Sequence, residues 1–496
     1  MVRKMSKSEK KRDEYLQKRR EKEEREAFEA KKNKVRSITA IVASSLLGIF
    51  VVGVLVGTII ANARANSGSY LRSKTAASSK NIDVNGAVMS YYFNDVYNTF
   101  LNYYGSYVSY YGLNTNLSLK NQKMSDNQTW FDYFMSGAKT NVSGILALNE
   151  AAKADNVSLD EGEINALTIR ADNADTGLYG QGVKRGDIYD ARTLEALAYK
   201  YQFMKQDELT PTDAEIDAEY NSNPKKYQSV GYYSYEFSWS EDPEDENAVT
   251  KESAKAEADA LASHTGINGF KTAIRQLLKT GSDEESGEAL DSKVEAQKTT
   301  GALYTEGNEI SEWLFGEAAV GDTKVFEDDS AKKFTVCVLC DEPTRDESRT
   351  INVRHILFSF SDDESEKKAK KAAEKVLAEF NSGDKSIESF ADLALAYSDD
   401  SGSLYNGGLY ENVVEGRMVT AFNDWCFSEE RKPGDADLIT TDYGYHIMYF
   451  VGDGMDVWQA SVADTILSER FSELNEKLTS DYPVAFDDTV LNSIPA

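Results

Sequence analysis

At 496 residues the chain is too long for one hydrophobic core, and its length argues for roughly three domains. It carries 83 acidic residues against 55 basic ones, a net charge of −28. Its three cysteines, Cys337, Cys340 and Cys426, are too few for a disulfide scaffold.

Residues 1–36 hold 15 Lys and Arg against 8 Asp and Glu, whereas the other 460 residues carry 40 against 75. This basic head reads as a charged helix or tail that sets orientation, with anionic lipid as the other surface it suits; nucleic acid is not expected as a partner. Residues 37–61 (SITAIVASSLLGIFVVGVLVGTIIA) contain no charge over 25 positions, enough to span ~30 Å of hydrocarbon. We expect a single transmembrane helix in membrane lipid, the N-terminus cytoplasmic and the bulk of the chain on the extracytoplasmic face. A cleaved signal peptide competes with this reading, because Ala61-Asn62-Ala63 and Ala63-Arg64-Ala65 are tolerable cleavage sites. A signal's apolar region is shorter, however, at about 7–15 residues. No cysteine follows the apolar run, so a lipid-anchored form is not expected.

Residues 62–228 begin with a Ser-rich spacer and continue as a helical domain. Tyr91, Tyr92, Phe93, Tyr97, Phe100, Tyr103, Tyr104, Tyr107, Tyr110 and Tyr111 recur at three- and four-residue steps, which predicts one amphipathic helix. Its rings suit either ordinary core packing or a cradle for unfolded chains. The stretch DNADTG (172–177) lacks the spacing and closing Glu of a calcium loop and reads as a turn. Thr212 and Glu215 make a capping box, and Asn223-Pro224 then stops the helix and marks a boundary.

Residues 229–345 and 346–454 read as one unit written twice. Each runs strand, acidic loop, helix, Trp-x-Phe (Trp313, Phe315; Trp425, Phe427), Gly-Asp (Gly321-Asp322; Gly434-Asp435) and a closing strand. Cys337 and Cys340 lie in FTVCVLC, an apolar alternation that predicts a buried strand rather than a redox or zinc motif. Residues 455–496 supply a helix with Ala460, Ala463, Leu467, Phe471, Leu474 and Leu478 on one stripe, then a tail with strand character. The stripe needs a partner, and the helical domain is the obvious one. The expected fold class is α+β.

Only three histidines occur, His264, His355 and His446. His264 reads as a surface residue. Strand alternation allows His355 (in VRHILF) and His446 (in YGYHIMYF) to face one side of a small sheet. On residue chemistry alone they suit a structural pair, a metal pair lacking its third ligand, or a catalytic pair.

The surrounding pattern separates these. VRHILF, FADLALAYSDDSGSLYNGG, MVTAFNDWCF, KPGD and TDYGYHIMYFVG, in this order and spacing, resemble the parvulin-type peptidyl-prolyl cis/trans isomerases over about 100 residues. The resemblance implies that His355 and His446 are the central histidines, Asp400 the acidic partner and Thr441 the hydroxyl that bonds the pair. It implies that Met418 and Phe422 line the proline pocket with Tyr410, which replaces a family Leu, and that Tyr443 stands where a small hydroxyl residue is common. No cofactor or metal is implied. The acidic loop Ser361-Asp362-Asp363-Glu364 stands where phosphate-directed parvulins are basic, so phosphorylated substrates are not expected. In the first copy, aligning SYEFS with RHILFS puts Ser234 at the place of His355 and Thr335 near that of His446, so this copy is expected to be degenerate.

The order of parts resembles the SurA/PrsA-type foldases. It implies an extracytoplasmic isomerase and chaperone acting on unfolded or newly translocated proteins that contain X-Pro bonds. The alternative is a non-catalytic holdase with a vestigial parvulin site.

Overall fold

Asn85 opens the first long helix, its side chain accepting the N–H groups of Ala87 and Val88 at 2.8 and 3.0 Å. In the computed structural model, which describes residues 68–240, 248–279 and 287–496, this helix (α1) runs Gly86–Tyr104. It stops at Gly105, whose φ of 50° belongs to the left-handed region that glycine tolerates. The Tyr run therefore does not form one helix. Tyr107, Tyr110 and Tyr111 fall in a following 3-10 segment, Gly105–Tyr111, and stand exposed.

Three further helices complete this part: α2 (Trp130–Ala154), α3 (Glu161–Asp172) and α4 (Arg185–Leu209). Tyr92, Phe93, Tyr97 and Phe100 of α1 pack on Trp130, Phe131 and Phe134 of α2 in one apolar core. The tail of the chain joins the same core through Leu478, Val490, Leu491 and Ile494. Its strand Ala485–Phe486 adds to a small antiparallel sheet beside Thr75–Ser78.

Next in the chain come β1 (Ser229–Ser238), α5 (Lys251–Ala262), β2 (Lys298–Leu303), β3 (Thr323–Asp328) and β4 (Lys333–Thr344). The strands make an antiparallel sheet in the order β2-β1-β4-β3. Then follow β5 (Arg349–Ser359), α6 (Asp363–Ser382), α7 (Ile387–Tyr397), β6 (Leu409–Val413), α8 (Thr420–Cys426), β7 (Ala436–Thr441), β8 (Gly444–Asp456) and the long α9 (Val457–Asp481). Their sheet has the order β6-β5-β8-β7, the same topology a second time. The described residues divide into two compact units, one of residues 212–348 with 456–462, the other of 68–211, 349–455 and 463–496.

The second sheet has two unlike faces, as strand alternation requires. Ile356, Phe358, Tyr445, Ile447 and Tyr449 bury against Ala373, Val376 and Phe380 of α6 and Phe390 and Ala394 of α7. Ile351, Val353, Met448 and Phe450 face the other way and meet Phe422, Trp425 and Cys426 of α8. The expected membrane span 37–61 and basic head 1–36 lie outside the described residues, among which no helix is long and apolar enough to cross a membrane.

Candidate active site

Alternation puts His355 on the α8 side of β5, beside Val353, and His446 on the same side of β8, beside Met448. Both are buried, at 3% and 5% exposure. Their rings lie stacked with centroids 5.4 Å apart, and Nδ1 of one is 3.1 Å from Nδ1 of the other. Nε2 of His355 sits 2.9 Å from Oδ2 of Asp400, and Nε2 of His446 sits 2.8 Å from Oγ1 of Thr441. All four ring nitrogens thus have a partner within the protein.

Burial works against the Asp400 charge, but the hydrogen bond and charge of His355, with Ser403 and the Gly402 N–H, hold its carboxyl well below the ordinary range. An ionised carboxylate only accepts, so His355 Nε2 donates to it. One Nδ1 donates to the other, and His446 Nε2 shares a hydrogen bond with the Thr441 hydroxyl. Thr441 Oγ1 in turn accepts the Tyr443 N–H at 3.1 Å. Burial pushes His446 down to about 4, the neighbouring His355 adding to the shift and Asp400 opposing it. His446 is therefore neutral at physiological pH.

Two further groups converge on Asp400. Ser403 donates to Oδ2, and its hydroxyl also lies 3.3 Å from His355 Nε2. The turn that returns it is closed by the N–H groups of Ser403 and Leu404 on the Asp400 carbonyl, at 3.4 and 3.1 Å. Sequence reasoning missed Ser403; the only signal was its place in the Ser-Gly-rich run three residues past Asp400. Tyr410 donates to Asp400 Oδ2 at 3.0 Å and stacks its ring on His355 at 4.9 Å. Pairing with Val353 across the sheet sets it on the histidine face. Burial, then the Asp400 charge, push its hydroxyl above the ordinary range, so it stays a donor.

Beside this polar chain lies an apolar wall. Phe422 meets both imidazoles edge to face, at 5.6 Å from His355 and 5.8 Å from His446. Met418 packs on the same cluster, partly exposed. Tyr443 is 64% exposed, so its side chain stands out in solvent while its N–H holds Thr441. Gly408 closes the arrangement: its carbonyl accepts the His355 N–H at 2.8 Å, its φ is 76°, and a Cβ there would collide with the His355 carbonyl.

This histidine pair, locked between a carboxylate and a threonine beside an apolar wall of Phe and Met, lies in a stretch of chain with known relatives. Residues 341–452 match the PPIC-type PPIASE domain family. Chaperone SurA of Pseudomonas savastanoi pv. phaseolicola is 35% identical over 128 residues, covering 24% of this chain and 28% of that protein. Foldase protein PrsA 1 of Listeria monocytogenes is 28% identical over 169 residues, covering 34% of this chain and 49% of that one. The chain thus spans less than half the length of either relative. Among solved structures, PrsA from Bacillus subtilis matches at 26% identity with a TM-score of 0.19, over 27% of this chain and 48% of that one.

The first sheet presents other residues at the same stations. Ser234 N–H bonds the Gln297 carbonyl just ahead of β2, as His355 N–H bonds Gly408 just ahead of β6. Leu339 exchanges bonds with Gly321-Asp322 as Phe450 does with Gly434-Asp435, and four residues earlier stand Thr335 and His446. Ser234 and Thr335 therefore occupy the two histidine positions. His264 lies elsewhere, exposed, with Nδ1 3.0 Å from the Ala260 carbonyl.

Proposed function

We propose that the chain is an extracytoplasmic peptidyl-prolyl cis/trans isomerase and chaperone, held to the membrane by residues 37–61, that assists the folding of secreted or surface proteins. The observation that carries this reading is the continuous hydrogen-bond chain from Thr441 through His446 and His355 to Asp400, set beside Phe422 and Met418.

Turning an X-Pro bond breaks no covalent bond; it twists an amide over a barrier of ~18–20 kcal/mol. The planar amide is the more dipolar state, so moving it from water to an apolar wall disfavours planarity more than it disfavours the twisted form. Phe422 and Met418 supply that wall for the pyrrolidine ring. The chain of hydrogen-bonded imidazoles ending on a half-buried carboxylate supplies a preorganised field around the twisting carbonyl and nitrogen. No nucleophile and no cofactor enter.

Support for client binding comes from α1. Residues 96–119, from α1 through the 3-10 segment that follows it, carry no charge over 24 positions, and Tyr103, Tyr107 and Tyr110 there are 72%, 72% and 87% exposed. Uncharged, exposed rings suit the apolar segments of an unfolded chain.

The test is proline isomerisation of a tetrapeptide by the wild-type chain and by His446→Ala. The variant is expected to lose at least about tenfold in kcat/KM, the scale of a removed positioned group, while its circular dichroism stays unchanged. A folded variant at the wild-type rate would leave only the holdase reading.

A further inference from the structure

The turn that carries Asp400 and Ser403 is held on both sides by residues of the helical part, within the same compact unit. On one side Arg170 of α3 donates through Nη1 to the Ser398 carbonyl at 2.9 Å and the Leu395 carbonyl at 3.4 Å. These are among the last carbonyls of α7, which have no partners within the helix. Ser398 passes the restraint on, because its hydroxyl accepts the N–H of Asp400 at 3.2 Å and that of Leu357, in β5, at 3.1 Å.

On the other side Tyr405 donates to Oε2 of Glu195 in α4 and lies flat on Tyr199, with centroids 4.7 Å apart and planes 10° from parallel. Glu195 is 4% exposed and also faces the Tyr91 hydroxyl at 3.4 Å. Beneath both anchors Ala166, Leu167 and Ala196 of the helices share a core with Leu395, Ala396 and Leu404. Asp400 and Ser403 thus lie between two fixed points, 398 and 405, in a stretch with little regular structure of its own.

We propose that Arg170 and Glu195 are positioning residues for the isomerase site, setting the reach of the Asp400–Ser403 turn to His355 from the helical part. This rests on the isomerase reading above. Geometry gives the reason for an effect on rate. The bond from Asp400 to His355 orients the imidazole pair, so a turn that drifts loosens the whole chain of bonds.

The experiment uses the full-length chain in mild detergent, with Arg170→Met, which keeps the apolar stem, and Tyr405→Phe, which keeps the stack on Tyr199. Each is expected to lower kcat about fivefold with little change in KM, because misplacement of catalytic groups by a fraction of an ångström carries losses of this order. Each should also shift the side-chain nitrogen resonances of His355. In an Asp400→Asn background the same substitutions should change the residual rate less than about 1.5-fold, because residues that act through one group do not add.

A folded Arg170→Met and a folded Tyr405→Phe at wild-type rate, with unmoved His355 resonances, would overturn the proposal. Full additivity with Asp400→Asn would overturn it as well, by showing an effect that bypasses Asp400. If Arg170→Met fails to fold, Tyr405→Phe, which removes one oxygen, carries the test. If the wild-type chain itself proves inactive, the isomerase reading falls, and the His355 resonances still decide whether the anchors position the turn.

Discussion

His446 ties the chemistry of the site to the stability of the fold. In an unfolded chain this imidazole takes a proton below about pH 6.5, whereas burial in the folded protein delays it to about 4. Between those values the unfolded state binds the extra proton, so His446 makes stability fall as pH is lowered through the window. The difference is on the order of 3 kcal/mol, at about 1.4 kcal/mol per pH unit. Asp95 and Glu195 work the other way. Burial pushes Asp95 up to about 7 and Glu195 above its usual range, so each favours the folded state more as pH falls toward 4. A comparison cancels them. Glutamine carries no charge and offers both a donor and an acceptor to Thr441 and His355. His446→Gln should therefore flatten the loss of stability between pH 6.5 and 4.5 by roughly 2–3 kcal/mol relative to wild type, measured by urea unfolding. Parallel curves for the two proteins would show that His446 is protonated in the folded state.

Strands decide what the paired cysteines can do. Cys337 and Cys340 are three apart in β4, so alternation sends them to opposite faces. Cys337 packs with Trp313 and Leu339, and Cys340 with Phe334 and Val338. Burial pushes the Cys337 thiol far above its ordinary range and that of Cys426 to about 12. All three thiols should resist a disulfide reagent in the native protein and react only at the rate of unfolding, followed by thiol release with and without urea. Rapid labelling in buffer would show that β4, or for Cys426 the end of α8, opens without unfolding.

The same alternation made part of the site legible in the sequence. VRHILF and YGYHIMYF set both histidines on one face, and the Trp-x-Phe and Gly-Asp markers recur at matching places in two sheets of like order. The limits of that reading have physical causes. Three- and four-residue steps continue through Tyr111, but the chain turns at Gly105, and periodicity does not register one backbone angle. Ser403 reaches Asp400 through a turn, and Tyr410 reaches it through cross-strand register, both products of tertiary structure. The anchors Arg170 and Glu195 lie more than 200 residues from the turn they hold, with no local pattern to betray them.

At the scale of the whole molecule, the residues that make the site and the residues that anchor it all belong to 68–211, 349–455 and 463–496. The first sheet has Ser234 and Thr335 at the histidine stations and is built as a loop out of the chain: Ser229 and Thr344 are partners across β1 and β4. Antiparallel partners stand about 5 Å apart, so a short Gly-Ser linker can replace residues 230–343 without moving what flanks them. Around that junction Arg345 lies over Trp458 at 4.1 Å and Trp458 packs on Tyr220 at 5.0 Å, contacts the replacement leaves in place. The shortened protein should keep kcat/KM for a proline tetrapeptide within about threefold of wild type, because no group that touches the histidine network has been removed. A protein of residues 229–345 alone should show no isomerisation above the uncatalysed rate. A loss beyond tenfold in the shortened but folded protein would give the first sheet a part in catalysis. Activity from residues 229–345 alone would mean that Ser234 and Thr335 suffice, and that the histidine pair is not what turns the bond.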